Sequence, residues 1–250
     1  MNKSKLEIKN LIVETDGKIV VDDVSLSLES GQVNIMMGQN GSGKTSLVNA
    51  IFGHPKYKIK SGKILLDGKD ITELAVDERA RLGLFLSMQN LPEIEGLRLV
   101  NFLYTAYKKL GLPESELGEV SVLDFYKYLE AKADSVGISK DFLKRELNVG
   151  FSGGEKKQSE ILQLLAVSPK FAILDEIDSG VDVDAMNKVF AGIKQLQEKG
   201  TGFLLVTHNT DILNKISPNK VYVMDRAGIV DCGKEDVINK IREKGFNYEN

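Results

Sequence analysis

The sequence predicts an α/β fold: a mostly parallel sheet covered on both faces by helices, with a helical lobe inserted into it. Three observations carry that reading. Short continuous apolar runs, "VNIMM", "FAILD" and "GFLLVT", are bounded by turn residues, the pattern of strands buried on both faces. Stretches with apolar residues at helical spacing lie between such runs, and strand–helix alternation selects a parallel sheet. From about Leu99 to Glu146 the alternation stops and only helical spacing remains. A chain of 250 residues can bury one full α/β core, or such a core with a smaller lobe.

The elements follow in order. "KLEIKNLIVE" alternates loosely, and "KIVVDDVSLSLESG" continues as strand to a stop at Gly31. "VNIMMG" is a short buried strand that runs into "GQNGSGKT", and "TSLVNAIFG" is helical until Gly53. "GKILLDGKDI" reads as an edge strand and turn, and "RLGLFLSMQ" as a buried strand ending at Gln89. Leu99, Phe102, Leu103, Ala106 and Leu110 then fall at helix spacing, and "VLDFYKYLEAKADSVG" and "KDFLKREL" continue the helical block. "FAILDE" restores the strand pattern. "DVDAMNKVFAGIKQLQEKG" places Met186, Val189, Phe190, Ile193 and Leu196 on one helix face, with Gly200 as its stop. "GFLLVTH" is a strand, "KVYVMDRAGIVDCG" a hairpin and "EDVINKIREKG" a surface helix. On this reading one domain spans 1–250, with 1–88 and 155–250 forming the α/β core and 89–154 the helical subdomain.

Composition narrows the functional classes. Acidic residues number 36 and basic residues 33, a net charge of −3, without the basic excess of a dedicated nucleic-acid binder. No apolar run approaches the roughly 20 residues of a membrane helix, so direct membrane insertion is not expected. "MNKSKLEIKN" has no apolar signal core, which points to the cytoplasm. The single cysteine, Cys232, makes no internal disulfide and no metal cage by itself, and its "DCG" context reads as an inert surface thiol.

The chemistry is concentrated in a few strand ends. Gly38, Gln39, Asn40, Gly41, Ser42, Gly43, Lys44 and Thr45 fit G-x-x-x-x-G-K-[ST], between a buried strand and a helix. Glycines let consecutive backbone N–H groups curve around phosphates, and the following helix directs its positive end at the anion. Lys44 reaches the β- and γ-phosphates, and the Thr45 hydroxyl is a hard oxygen ligand for Mg²⁺. Asp175 emerges at the C-terminal end of "FAILD", where ligands of parallel sheets bind, and is placed to hold Mg²⁺. Glu176 is the group that accepts a hydrogen bond from an attacking water. His208 ends a matching strand and is placed to bond the γ-phosphate and Glu176; His54 has no such context. Ser152, Gly153 and Gly154 open a further helix and form a second anion-binding N-terminus. Ser152 with Glu155 also satisfies a capping box, and both readings hold at once.

"GQNGSGKT", "FSGGE", "ILDE", "SGVD" and "TH" occur in the order found in ATP-binding-cassette (ABC) ATPases, and the resemblance covers essentially the whole chain. Within that superfamily "LNVGFSGGEKK", "LDEIDSGVDVDA", "GKDITEL" and "MQNLPEIEG" most resemble the SufC group, the ATPases of the SUF iron–sulfur cluster assembly machinery. Transporter cassettes more often read "LSGGQ" and "TSALD" at those places. The resemblance implies an N-terminal antiparallel β subdomain, ATP and Mg²⁺ as cofactors, and hydrolysis at a head-to-tail homodimer interface. It implies that Ser46 joins the phosphate loop and that Gln89 senses Mg²⁺ and the γ-phosphate. Ser152, Gly153, Gly154 and Glu155 would act across the dimer, Asp182 would lie between the two sites, and Glu176 and His208 would activate water. SufB-like and SufD-like scaffold proteins are the implied partners. One departure concerns the base: many cassettes stack adenine on an aromatic residue in the first strand pair, where this chain has "VETDG". Two rivals stay open, the nucleotide-binding subunit of a membrane transporter and a non-hydrolysing nucleotide-gated module. "NLPEIEGLRL", with Leu91, Ile94 and Leu97, is expected to be irregular and to be either a docking patch or packing for its own lobe.

Overall fold

The first strand breaks its own alternation, and the break keeps its apolar residues on one side. In β1 (Lys5–Thr15) Leu6 and Ile8 are buried, and strict alternation would bury Asn10 next. Asn10 instead takes a left-handed backbone (φ 46°) at a register shift, and Leu11 and Val13 return to the buried side. The computed structural model to which these elements belong describes residues 3–87, 92–110, 121–177 and 181–246. β1 pairs antiparallel with β2 (Lys18–Glu29), and the fully buried β3 (Val33–Met37) leads into the glycine loop and α1 (Lys44–Ile51). β4 (Lys58–Leu66) returns to β1, and β5 (Lys69–Asp70) closes an antiparallel sheet ordered β2-β1-β4-β5. β4 is therefore interior, and the edge expected there is taken by the two residues of β5.

α2 (Val76–Arg81) and β6 (Leu84–Ser87) come next, followed by β7 (Ile94–Arg98), α3 (Leu99–Leu110), α4 (Val122–Ser135), a 3-10 helix at Lys140–Lys144 and β8 (Glu146–Leu147). The chain ends with α5 (Gly153–Val167), β9 (Phe171–Asp175), α6 (Val183–Glu198), β10 (Gly202–Thr207), α7 (Ile212–Lys215), the hairpin β11 (Lys220–Asp225) and β12 (Gly228–Gly233), and α8 (Glu235–Lys244). The main sheet is ordered β12-β11-β3-β10-β9-β6 and is parallel except for β12. Its alternating side chains feed two cores. Met36, Ile173, Leu204 and Val206 pack with α1 and the antiparallel sheet, whereas Ile35, Leu174, Phe203 and Leu205 pack with the helical layer of α3 to α6. Burial on both faces is why these strands read as continuous apolar runs.

The segment expected to be irregular after Gln89 is partly regular. β7 pairs antiparallel with β8, Ile94 opposite Leu147, around the left-handed Gly96. Ile94 is exposed, but Leu97 packs on the core beneath it; Leu91 lies outside the described residues. The same two stretches are tied by Asn148 Nδ2–H to Pro92 O (2.9 Å), Leu99 N–H to Arg145 O (2.9 Å) and an ion pair between Lys156 and Glu93 (2.9 Å). Residues 92–99 and 145–156 are thus joined by hydrogen bonds and an ion pair.

Among the described residues Arg79 is the largest fully buried side chain, 1% exposed. Its guanidinium donates to the carbonyls of Ala50 and Ile51 at the end of α1, and to those of Thr72 and Leu74. Helix ends leave such carbonyls without intrahelical partners, and a buried one needs a donor. Arg79→Met should leave several of them unpaired and lower unfolding stability by about 3 kcal/mol or more, since each stranded buried polar group costs roughly 1–3 kcal/mol. Urea denaturation monitored by circular dichroism measures the loss.

Candidate functional site

Strand register assembles the site. Met37 of β3 lies beside Thr207 of β10, and Val206 of β10 beside Asp175 of β9. The glycine loop, His208 and the Asp175–Glu176 pair therefore leave one rim of the sheet from three neighbouring strands.

The loop admits only glycine at two positions. A Cβ at Gly38 (φ 153°) would stand 2.1 Å from Met224 O, and one at Gly43 (φ 105°) 2.6 Å from Val20 O. Gln39, Asn40 and Gly41 are exposed at its crest, and Ser42 is buried beneath them. α1 begins after Gly43 with no side-chain cap and no acidic residue in its first turn, so its N-terminal N–H groups and the helix dipole are left for an anion. Thr45 and Ser46 stand half-buried in that first turn. Lys44 is buried, and its ammonium donates to Gly38 O and Gln39 O, both at 2.8 Å. Burial pushes its pKa down, while Asp175 and Glu176 act in the opposite direction.

Thr45 Oγ1–H donates to Asp175 Oδ2 at 3.0 Å, and Asp175 Oδ1 is buried without a partner among the described residues. Burial raises the Asp175 pKa, opposed by the Thr45 hydrogen bond and by the charges of Lys44 and Lys157. A buried carboxylate with one open oxygen beside a hydroxyl suits a hard divalent cation, so these residues fit Mg²⁺. Among the described residues no cluster of three or more His, Cys, Asp or Glu could hold a metal ion. Gln89, expected to contact both metal and γ-phosphate, lies outside the described residues.

Glu176 has a left-handed backbone, φ 51°, fixed by its N–H to Val206 O at 2.9 Å. That conformation is costly for a residue with a Cβ and turns the chain sharply at the strand end. His208 Nδ1 stands 3.8 Å from Glu176 Oε1, so the fold brings these two together without a direct hydrogen bond. The second loop sits elsewhere on the chain's surface architecture, at the head of α5. Ser152 Oγ accepts from Glu155 N–H, and Glu155 Oε2 accepts from Ser152 N–H, the reciprocal cap expected. A Cβ on Gly154 would approach Ala185 Cβ to 3.1 Å and Asp182 Oδ2 to 3.2 Å, so Asp182, which caps α6, adjoins the second loop.

Sequence reasoning passed over a buried polar cluster. Glu160 of α5 accepts from Ser87 Oγ–H at the end of β6 and pairs with Lys157 at 2.9 Å. The available signal was two charged residues three apart on a helix whose other faces are apolar. Around Gly43 the nearest atoms to a Cβ come from Val20, Met224 and Ala227, none of them aromatic.

A family model described as "ABC transporter" matches residues 21–179. The chain is 44% identical over 243 residues to "Probable ABC transporter ATP-binding protein spyM18_0273" of Streptococcus pyogenes serotype M18 (strain MGAS8232), covering 97% of this chain and 94% of that protein. It is 38% identical over 250 residues to "Probable ATP-dependent transporter ycf16" of Antithamnion sp., covering 100% and 99%. Among solved structures, the ADP conformation of MJ1267, an ATP-binding cassette of an ABC transporter, superposes with a TM-score of 0.76 at 25% identity, covering 96% of this chain and 95% of that one.

Two contrasts test the site. Lys44→Ala should weaken equilibrium ATP binding, whereas Glu176→Gln should bind ATP normally but turn it over roughly 10²–10⁴-fold more slowly, the range for a general base. A nucleotide titration and a turnover assay on both variants separate the two effects. Because "VETDG" stands where many cassettes stack adenine on an aromatic residue, the preference for ATP over GTP should stay below about 100-fold, roughly 2.7 kcal/mol. Competition titration with the two nucleotides measures it.

Proposed function

We propose that this chain, which belongs to the ABC transporter family and is an ATPase taking ATP with Mg²⁺, is a SufC-like cassette whose ATP cycle drives conformational change in an iron–sulfur cluster assembly scaffold. Cassettes of this family act as dimers with transmembrane or scaffold partners. The observation that carries the scaffold reading is the pair of departures "FSGGEKK" and "DSGVDVDA", with Glu155 where transporter cassettes more often have glutamine.

The geometry of the described residues supports the following division of roles. Lys44 exchanges the carbonyls of Gly38 and Gln39 for β- and γ-phosphate oxygens. Thr45 and Asp175 would hold the cation, aided by Gln89. Mg²⁺, when bound, would supply positive charge to the phosphates. Glu176 takes a hydrogen bond from the attacking water, and His208 orients Glu176 and the γ-phosphate end. Ser152, Gly153 and Gly154 of a second copy close over the same nucleotide, with Asp182 linking the two sites. ATP binding closes the dimer and hydrolysis reopens it.

A cavity of about 240 Å³ among α2, β6, α3 and α5 supports a place for the partner. Val76, Ala80, Phe85, Phe102 and Leu110 give it an apolar lining, and β6 ends two residues before Gln89 in the sequence. SufB-like and SufD-like proteins would dock there, in the cytoplasm. Among the described residues no helix is long and apolar enough to cross a membrane. The transporter reading is favoured by one observation, the names that the relatives carry, and differs only in the partner.

Purified chain mixed with SufB-like and SufD-like proteins of the same cell should form a complex and hydrolyse ATP faster than alone. Ala80→Asp in the cavity wall should remove the stimulation and leave unstimulated turnover in place. Stable association with a membrane permease, and none with the scaffold proteins, would select the transporter reading.

A further inference from the structure

The loop at the head of α5 carries a conflict of charge. The Glu155 carboxylate completes the cap, with Oε2 accepting from Ser152 N–H at 2.8 Å, and an acid there suits the helix dipole. It also sets a full negative charge within one turn of the N–H groups that would receive a triphosphate. Glutamine caps equally well in such a box and carries no charge. The chain keeps glutamate, and the carboxyl stays below its usual range, first through Ser152 N–H and then through Arg145.

Arg145 has no part in the roles assigned above. Its Nη1–H donates to Glu155 Oε1 at 2.6 Å, the oxygen that the cap leaves open. Two rings hold the guanidinium in place: its central carbon lies 4.0 Å from the Phe151 centroid and 5.1 Å from that of Phe142, and the rings pack edge to face at 5.1 Å. Stacked guanidinium keeps one orientation, which a lysine would not. The Arg145 carbonyl is fixed as well, accepting from Leu99 N–H. Lys156, the next residue on α5, is matched by Glu93 at 2.9 Å.

We propose that Arg145 is a charge-compensating positioning residue: it neutralises Glu155, so that the head of α5 can receive the triphosphate held by a second copy of this chain. The inference rests on the reading in which Ser152, Gly153 and Gly154 act across a dimer. Without Arg145 the carboxylate repels the incoming polyanion; without both charges the conflict disappears.

The test is a double-mutant cycle on the full chain. Steady-state ATP turnover is measured for wild type, Arg145→Met, Glu155→Gln and the double variant, with a fluorescent ATP analogue reporting binding at the phosphate loop. Arg145→Met should lower kcat/KM at least about tenfold. Whatever the turnover of Glu155→Gln itself, the double variant should stay within about twofold of it. Analogue binding should be unchanged throughout. The Arg145→Met deficit should also shrink as salt rises from about 0.05 to 0.5 M, because screening weakens the repulsion. Arg145→Gln serves the same cycle if Arg145→Met does not fold. A double variant as impaired as the single would place the action of Arg145 in packing on Phe142 and Phe151 and overturn the proposal; so would wild-type turnover in Arg145→Met. Ser152→Glu separates the two readings. Wild-type turnover in Ser152→Glu would remove the trans reading and this proposal with it. Loss of turnover there, beside neutral Arg145 variants, would overturn the proposal alone.

Discussion

Backbone pairing among β3, β10 and β9 sets where every reactive group can be. Each strand is sandwiched between two apolar layers, so a slip of one residue would exchange its inward and outward side chains and bury none of them well. Held in this register, Met37, Thr207 and Asp175 end within one residue of each other. The functional groups then need only the next one or two residues of chain to converge: the glycine turn, the left-handed Glu176 and His208. The hydrophobic cores thereby act on the chemistry, because they hold the ladder that aligns the strand ends.

The two helix N-termini face the same physical task with opposite solutions. α1 has a glycine before it, no capping side chain and no acid in its first turn, and it keeps a buried lysine close by. α5 is fully capped by its own serine and glutamate, and a neighbouring arginine holds that glutamate. The first is arranged to bind phosphate within its own chain. The second is already satisfied, so a ligand there adds to a closed local structure. Burial sharpens the contrast at the first site, where Lys44 and Asp175 are both displaced from their ordinary titration ranges by loss of water.

The phosphate loop, the Asp175–Glu176 pair and the capped α5 were legible because their physics is local: a turn needs glycine, and a buried strand needs an apolar run. The hairpin and the apolar face of α6 were readable for the same reason, whereas the antiparallel pairing of the first sheet was reached only through the family resemblance. β7 was not, because two short strands far apart in sequence stabilise each other and neither shows alternation. α2 and α7, of six and four residues, are too short for helical periodicity to register. Arg79 and the Lys157–Glu160 pair look like ordinary surface charges until tertiary packing encloses them. Arg145 was invisible for a related reason, since its role depends on a carboxylate ten residues away and two rings that fold places beneath it.

The stitching of β7 to β8 has a mechanical consequence. Four separate ties bind residues 92–99 to residues 145–156, so the two stretches behave as the arms of one lever. On the reading proposed above, in which Gln89 senses the nucleotide of its own chain and Ser152 meets that of a second copy, these ties would couple a subunit's own occupancy to what it presents to its neighbour. The state of either nucleotide would then bear on the grip on the other.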